Sequence, residues 1–589
     1  MHSVRRTKIV CTLGPAVDSD AMIRGLLQAG MNVARFNFSH GNHDEHRERI
    51  ERVRRISAEV GVPVALLLDT KGPEIRTGIL KDGATFELTA GDKITITTEE
   101  VAGTRERIGI SYKQLPDEVL PGNHIYVADG LIDLEVLSVT GSEVACVVKS
   151  GGTLGSRKNV NIPGVRVQLP AITEQDEVDI LFALREGMDF IAASFIRTPR
   201  DVEEIRRILR ENESPIRIIA KIEDQEGLDN IDEIIRVSDG IMVARGDLGV
   251  QLAIESIPLA QKRIISKCNA ENKPVITATQ MLDSMIENPR PTRAELTDVA
   301  NAIFDGTDAV MLSGETAVGA YPIKACKTLH KIAMSVEQSE EYNLRSKEFF
   351  DYYDPAPDIG QAIAKATFFV ASDVDAAAII APTLRGNSPR MLSKYRPIQI
   401  IIAVTTTEQV QRQLLLHWGI IPLVSDEVSD SEAMVQNAIR HALARGLIAH
   451  SDRVVTTAGV PLRSAIPMNT IKVHILGNVL NRGQIGFGPK RTGRIVKVKD
   501  AKDAGRRPRL DSTGILLTRV LTAEFEETLA RVGGVIVEET PQISHERIRQ
   551  LNPEIAYVSQ VPDALDAIEN GITVTLDGDQ KIIYEGTIL

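Results

Sequence analysis

A chain of 589 residues, 43% of them hydrophobic, with a formal charge of −12, can bury several cores and needs no covalent staple. The acidic balance and 4% aromatic content argue against nucleic acid or an anionic membrane as partner. The four cysteines, Cys11, Cys146, Cys268 and Cys326, lack the paired spacing of a zinc site or disulfide framework. No apolar run approaches the roughly 20 residues of a membrane helix, and MHSVRRTKIV has no apolar signal core, so a cytoplasmic protein is expected.

From the N-terminus, short runs rich in β-branched residues alternate with longer amphipathic stretches, the pattern of βα units around a parallel sheet. Eight such runs are TKIVCTLG, MNVARFNFS, VPVALLLDT, DFIAASFI, IRIIAKIE, DGIMVARGD, KPVITATQ and TDAVMLSGE. They end near Gly14, Ser39, Thr70, Ile196, Glu223, Asp247, Gln280 and Glu315, and they predict a (β/α)8 barrel over residues 1–69 and 170–353. After the third run the texture changes. Residues 70–169 show short alternating segments such as ATFELTAGDKITITT with glycine turns, which predict an antiparallel β domain inserted in a βα loop. Residues 354–477 return to α/β texture and are expected to form an open-sheet domain. A glycine-rich stretch, NRGQIGFGPKRTGR, then opens a last unit, 478–589, with strands in GILLTR, GVIVEE and ITVTLDG.

In such a barrel the chemistry sits at the C-terminal ends of the strands. Strand two supplies Arg35, Asn37 and Ser39, strand three Asp69 and Thr70, strand five Lys221 and Glu223, strand six Arg245 and Asp247, strand seven Thr277 and Thr279, and strand eight Ser313 and Glu315. Lys221 and Glu223 share one face of an extended chain, so they either pair with each other or turn together toward a ligand. Glu223 and Asp247, on adjacent strands, could chelate one divalent cation; oxygen ligands without His or Cys favour Mg2+ or Mn2+. Arg35, Asn37, Ser39 and Asp69 form a second oxygen-rich group with one carboxylate, better suited to a monovalent cation. Arg76, Arg157 and Lys158 of the inserted domain add positive charge near the same mouth.

At these residues the chain resembles the pyruvate kinase family: ARFNFSHG, DTKGPEIRTG, AKIEDQEGLDN, MVARGDLGV, ATQML and LSGETA occur in the family's order. The resemblance implies transfer of the phosphoryl group of phosphoenolpyruvate to ADP, giving pyruvate and ATP, the last step of glycolysis. It implies that Lys221 stabilises the phosphoryl group in flight and that Glu223 and Asp247 hold Mg2+. Gly246, Asp247 and Thr279 become substrate contacts, together with Arg35 and Lys221. Asn37, Ser39, Asp69 and the Thr70 carbonyl become a K+ site, and Arg35, His40, Arg76 and Lys158 nucleotide contacts. Ser313 and Glu315 lie where the family places a proton relay, and Glu74 where K+-activated members carry glutamate. A homotetramer is implied as well.

The open-sheet domain resembles the family's regulatory domain. There Thr383, Leu384, Arg385, Gly386, Asn387 and Ser388 would hold the phosphate of a sugar-phosphate or nucleotide effector at a helix N-terminus, with GVPLRSAIPMNT facing the same pocket. The last unit resembles the extra domain of bacillus-type members, related to the phosphohistidine domain of enzymes that use phosphoenolpyruvate. EETPQISHERIRQ keeps Ser544 and His545 but has Thr540, Pro541, Ile543, Glu546 and Arg547 where the family has glycine, threonine and small residues, so a structural role is expected for His545. Two rivals remain at this stage: a Mg2+-dependent aldolase acting on pyruvate or oxaloacetate, and a catalytically silent metabolite sensor.

Overall fold

The computed structural model describes residues 4–348, 358–426, 431–449, 452–461, 466, 468–508, 510–586 and 588. Eight parallel strands close into a barrel: β1 (Lys8–Thr12), β2 (Val33–Asn37), β3 (Ala65–Asp69), β4 (Phe190–Ala193), β5 (Arg217–Ile222), β6 (Gly240–Ala244), β7 (Val275–Ala278) and β8 (Ala309–Leu312). Each strand pairs with its successor in sequence, and β8 pairs with β1, Lys8 facing Ala309. The strands read as nearly continuous apolar runs because helices cover the outer face and other strands the inner one, so alternation would strand polar groups in the core. Inside, Val10, Val33, Leu67, Phe190, Ile219 and Met242 belong to one packed cluster.

The chain leaves the barrel after β3 through Gly72, whose φ of +73° suits a residue without Cβ; a Cβ there would stand 2.8 Å from that of Ser194. It then builds a six-stranded sheet in the order Val160–Asn161, His124–Val127, Ile132–Thr140, Glu143–Ser150, Lys93–Thr97 and Arg107–Gly109. The alternation read in the sequence becomes alternate burial, as along Ile132–Thr140, and Ile94, Ile96, Leu134 and Val144 form part of a core separate from the barrel's.

The contacts divide the chain into two compact units: residues 1–357 with 383–424, and 358–382 with 425–589. In the first, residues 383–424 contribute strands β9 (Ile400–Thr405) and β10 (Ile420–Val424), parallel to each other, and lie against the N-terminal end of the barrel. Leu415 and Leu416 join the barrel's interior cluster. Lys8 Nζ donates to the Ile420 carbonyl at 2.6 Å, Arg396 pairs with Asp308 at 3.0 Å, and Arg412 pairs with Asp189 at 3.0 Å. In the second unit, Ala378–Pro382 runs parallel to Arg453–Ala458, which pairs antiparallel with Thr470–Ile475. Residues 479–585 form an eight-stranded mixed sheet that includes the expected strands Gly514–Thr518, Gly534–Val537 and Thr573–Asp577. The proposed boundary at 353–354 and residues 462–465 and 467 of GVPLRSAIPMNT lie outside the described residues.

Candidate active site

At the C-terminal mouth of the barrel the side chains named from the sequence converge around Lys221. Its ammonium, on a residue 9% exposed, donates to Ser194 Oγ at 2.7 Å and to Asp69 Oδ1 at 3.0 Å, and lies 3.0 Å from Glu223 Oε1. Burial works against this charge, but Asp69 and Glu223 outweigh it and raise the lysine above its ordinary value. Lys221 is therefore paired with two carboxylates at once, and the two groups expected to be separate form one cluster.

Arg35 completes it from β2, donating through Nε to Asp69 Oδ2 at 2.6 Å and through Nη1 to Thr12 Oγ1 at 2.8 Å. Asp69 is 1% exposed; burial would raise its pKa, but Arg35 and Lys221 prevail and hold it below the usual carboxylate range. Asn37 stands opposite Asp69 in the β2–β3 register and its Oδ1 accepts from the Ser39 N–H at 3.2 Å. The Thr70 carbonyl accepts from Ser194 Oγ at 2.7 Å. Glu223 and Asp247 behave in the opposite sense to Asp69: desolvation pushes both carboxyls up and prevails over the opposing pull of Lys221. Glu223 is 2% exposed, whereas Asp247, on the adjacent strand end, is exposed to the mouth; a buried carboxylate beside an open one suits a cation that arrives from solvent.

The short helix that carries Asp247, α1 (Arg245–Gln251), presents the Gly246 N–H to Thr279 Oγ1 at 2.8 Å. Thr279 and Gln280 have φ of +64° and +51°. Glu315, 1% exposed, accepts from the N–H groups of Leu282 and Ser313 at 3.0 and 2.7 Å and so ties the loops after β7 and β8 together; burial raises its pKa. Ser313 Oγ is buried with no partner among the described residues.

The inserted domain borders the same mouth. Gln251 donates to Asn161 Oδ1 at 2.9 Å, Arg197 donates to the carbonyls of Val167 and Leu169, and a cavity of about 220 Å³ is lined by Glu74, Asn161, Arg166, Phe195, Asp247 and Gln251 among others. Arg76, with a side chain 40% exposed, pairs with Glu74 at 2.6 Å and donates to the Arg157 carbonyl at 2.8 Å; Lys158 is exposed. Ser39 and His40 are exposed at the rim. Two residues from the strand-end set are not at the mouth. Thr277 Oγ1 is buried against Thr307 at 2.9 Å, and Arg245 turns away to pair with Asp298 at 2.7 Å.

Sequence reasoning passed over strands one and four, although Thr12 and Ser194 end them and each orients a charged member of the cluster. The signal was present in the hydroxyls of IVCT and AASF, but a hydroxyl at a strand end stands out less than a charge. In residues 383–424, Thr383 Oγ1 accepts from the Gly386 N–H at 2.9 Å, Gly386 has φ +81°, and helix α2 (Asn387–Lys394) begins at once with Ser388 2% exposed, Leu384 half-buried and Arg385 exposed.

Fold and site define a (β/α)8-barrel enzyme whose mouth is charged for a small phosphorylated or carboxylated substrate. The families described as "Pyruvate kinase, barrel domain", "Pyruvate kinase, alpha/beta domain" and "PEP-utilising enzyme, mobile domain" match residues 4–326, 361–474 and 510–581. A pyruvate kinase of Geobacillus stearothermophilus is 47% identical over 99% of both chains, and one of Sporosarcina psychrophila is 46% identical with the same coverage. A solved pyruvate kinase from Cryptosporidium parvum superposes with a TM-score of 0.77 at 42% identity, covering 80% of this chain and 96% of that one. The chain belongs to the pyruvate kinase family, with the bacillus-type C-terminal extension. It is a phosphotransferase that acts on phosphoenolpyruvate and ADP, which disposes of the aldolase alternative. Among the described residues no helix is long and apolar enough to cross a membrane.

Proposed function

We propose that Lys221 is the charge that stabilises the phosphoryl group as it passes from phosphoenolpyruvate to ADP. The observation that carries this is the lysine's fixation by three oxygens in a nearly dry site. Phosphoryl transfer has a loose transition state with charge spread over the equatorial oxygens, and a preorganised cation stabilises it without reorganising at the moment of transfer. Arg35, fixed on Asp69 and Thr12, adds a second cation on the neighbouring strands. Gly246, Asp247 and Thr279 orient the substrate carboxylate, and Ser313 with Glu315 forms the polar edge from which a proton reaches the enolate. His40, Arg76 and Lys158, all with exposed side chains, meet the nucleotide phosphates.

The donor set fits the two metals the family uses. Glu223 and Asp247 would hold Mg2+ or Mn2+, since they offer carboxylate oxygens from the ends of the adjacent strands β5 and β6 with no His or Cys beside them. When bound, that cation would neutralise negative charge on the substrate. Asn37, Ser39, Asp69 and the Thr70 carbonyl would hold K+, one carboxylate among neutral oxygens. Thr383, Leu384, Arg385, Gly386, Asn387 and Ser388 would take an effector phosphate from a sugar phosphate or nucleotide; in support, α2 starts directly after Gly386, an N-cap residue with no side chain to cap the first N–H groups. The active assembly is taken to be a homotetramer, the cell compartment the cytoplasm, and the C-terminal unit structural. His545 supports that last role: it packs against Phe487 and Tyr557 at centroid distances of 6.0 and 5.5 Å. The test is a coupled rate assay with phosphoenolpyruvate and ADP, with Mg2+ and K+ each withdrawn. Activity that survives loss of the divalent cation would remove the assignment of Glu223 and Asp247.

A further inference from the structure

We propose that Arg245 is a positioning residue for Thr279, with Asp298 as its brace. The proposal rests on the role given above to Thr279 in holding the substrate carboxylate.

Two successive residues after β7, Thr279 and Gln280, lie in the left-handed region, with φ of +64° and +51°. A β-branched residue there is a rare outlier, and such a conformation lasts only where the surroundings over-determine it. Here the surroundings are one guanidinium. Arg245, 8% exposed, donates through Nε to the Ala278 carbonyl at 3.2 Å and through Nη2 to the carbonyls of Thr279 and Gln280 at 2.6 and 3.3 Å. Its remaining nitrogen, Nη1, donates to both oxygens of Asp298 at 2.9 and 2.7 Å and to Gln261 Oε1 at 3.3 Å. Three consecutive carbonyls, those of the last β7 residue and of the two turn residues, thus each find a donor in a single planar fork. An ammonium, with one nitrogen, cannot span them.

The opposite side of the turn is held by the next residue along. The Gly246 N–H meets Thr279 Oγ1 at 2.8 Å, and the hydroxyl itself donates to the Ala278 carbonyl at 2.6 Å. Arg245 and Gly246 therefore grip Thr279 from its carbonyl side and its hydroxyl side, and both open the helix that carries Asp247. Asp298 lies on helix α3 (Arg293–Phe304) with its side chain 39% exposed, so the outer end of this clamp reaches solvent while the inner end fixes a substrate contact. Left without the fork, the turn relaxes toward ordinary backbone angles and the hydroxyl leaves Gly246.

The test is a double-mutant cycle on the full-length enzyme with Arg245→Met and Thr279→Ala, reading kcat and KM for phosphoenolpyruvate. Arg245→Met should lower kcat about tenfold to a hundredfold in the otherwise wild-type enzyme, but less than about threefold when Thr279 is already alanine. Arg245→Lys should not restore the rate, and Asp298→Asn should lose part of it, again only when Thr279 is intact. An arginine that merely stabilises the fold would cost the same factor in both backgrounds, and that additivity overturns the proposal. If Thr279→Ala alone is as fast as wild type, the substrate role of Thr279 falls and this inference with it; a slow Thr279→Ala with additive losses overturns the clamp alone. Should Arg245→Met not yield folded protein, Asp298→Asn takes its place in the cycle under the same criterion.

Discussion

Replacing Lys221 by methionine separates two effects that the geometry predicts together. The methionine keeps the length of the side chain and removes the ammonium from Asp69, Ser194 and Glu223. For catalysis, loss of one preorganised stabiliser in a site this dry should cost about 2.7–4 kcal/mol, or 100- to 1,000-fold in kcat, with the affinity for phosphoenolpyruvate largely retained because the charge acts mainly in the transition state. For stability, two carboxylates that are 1% and 2% exposed lose a shared cation, and breaking a buried pair in this way costs about 3–5 kcal/mol. Protonation can offset that second cost. Asp69 keeps Arg35, but burial already pushes Glu223 up with the lysine in place, so in the variant Glu223 should titrate still higher in the folded than in the unfolded chain. Its contribution is then present at low pH and lost as pH rises, so the variant should be least stable relative to wild type at alkaline pH. Steady-state rates at saturating ADP and Mg2+, phosphoenolpyruvate binding by calorimetry, and thermal unfolding between pH 6 and 9 measure the three quantities. A variant that keeps kcat within about threefold, less than 1 kcal/mol, would refute the role given to Lys221. A loss confined to KM would reassign it to ground-state binding.

Glu74→Lys exchanges a carboxylate for an ammonium and deprives Arg76 of its partner, so the rate without K+ should approach the rate with it; initial rates in bulky organic cations with K+ added back at fixed ionic strength measure this, and an unchanged K+ dependence contradicts the monovalent site. Ser388→Glu puts a carboxylate at the first turn of α2, where an effector phosphate should bind, and should abolish activation by sugar phosphates or nucleotides while leaving the unstimulated rate within about twofold; equal shifts in wild type and variant place the effector elsewhere. Lys8 offers a stability test. Burial lowers its pKa to about 7, so between pH 7 and 10 the unfolded chain binds more protons and wild type should gain stability with rising pH. Lys8→Met removes that dependence, and the difference between the two proteins should change by roughly 1 kcal/mol per pH unit over this range in unfolding experiments. A pH-independent difference means Lys8 titrates normally.

The barrel was legible because its strands carry a one-dimensional signal. Runs such as KIVCT and ALLLD are apolar on both faces, which only a covered parallel sheet tolerates. The charges ending those runs were legible too, since Arg35, Asp69, Lys221 and Glu223 break apolar segments at a place where barrels put their chemistry. What escaped detection depends on distance in sequence. Nothing in AASF marks Ser194 as a partner of Lys221, 27 residues on, or shows that Arg245 faces Asp298, 53 residues on, instead of the mouth. Residues 383–424 carry the same difficulty: their α/β texture matched that of their neighbours, and the contacts that bind them to the barrel reach back more than 400 residues, from Ile420 to Lys8.

That long-range closure has a consequence for synthesis. The barrel's last strand ends at Leu312, but the leucines that join its interior and the arginines that meet Asp189 and Asp308 lie between 396 and 416, and the acceptor for Lys8 is residue 420. At ribosomal rates of about 5–20 residues per second, roughly a hundred further residues take about 5–20 s to appear. Throughout that interval a nascent barrel has all its strands and an unsealed floor, with apolar lining and two carboxylates open to water. The vulnerable moment in the life of this enzyme therefore falls on the ribosome, and a stall placed between codons 312 and 420 should expose it to proteases and chaperones in a way that a stall after 420 does not.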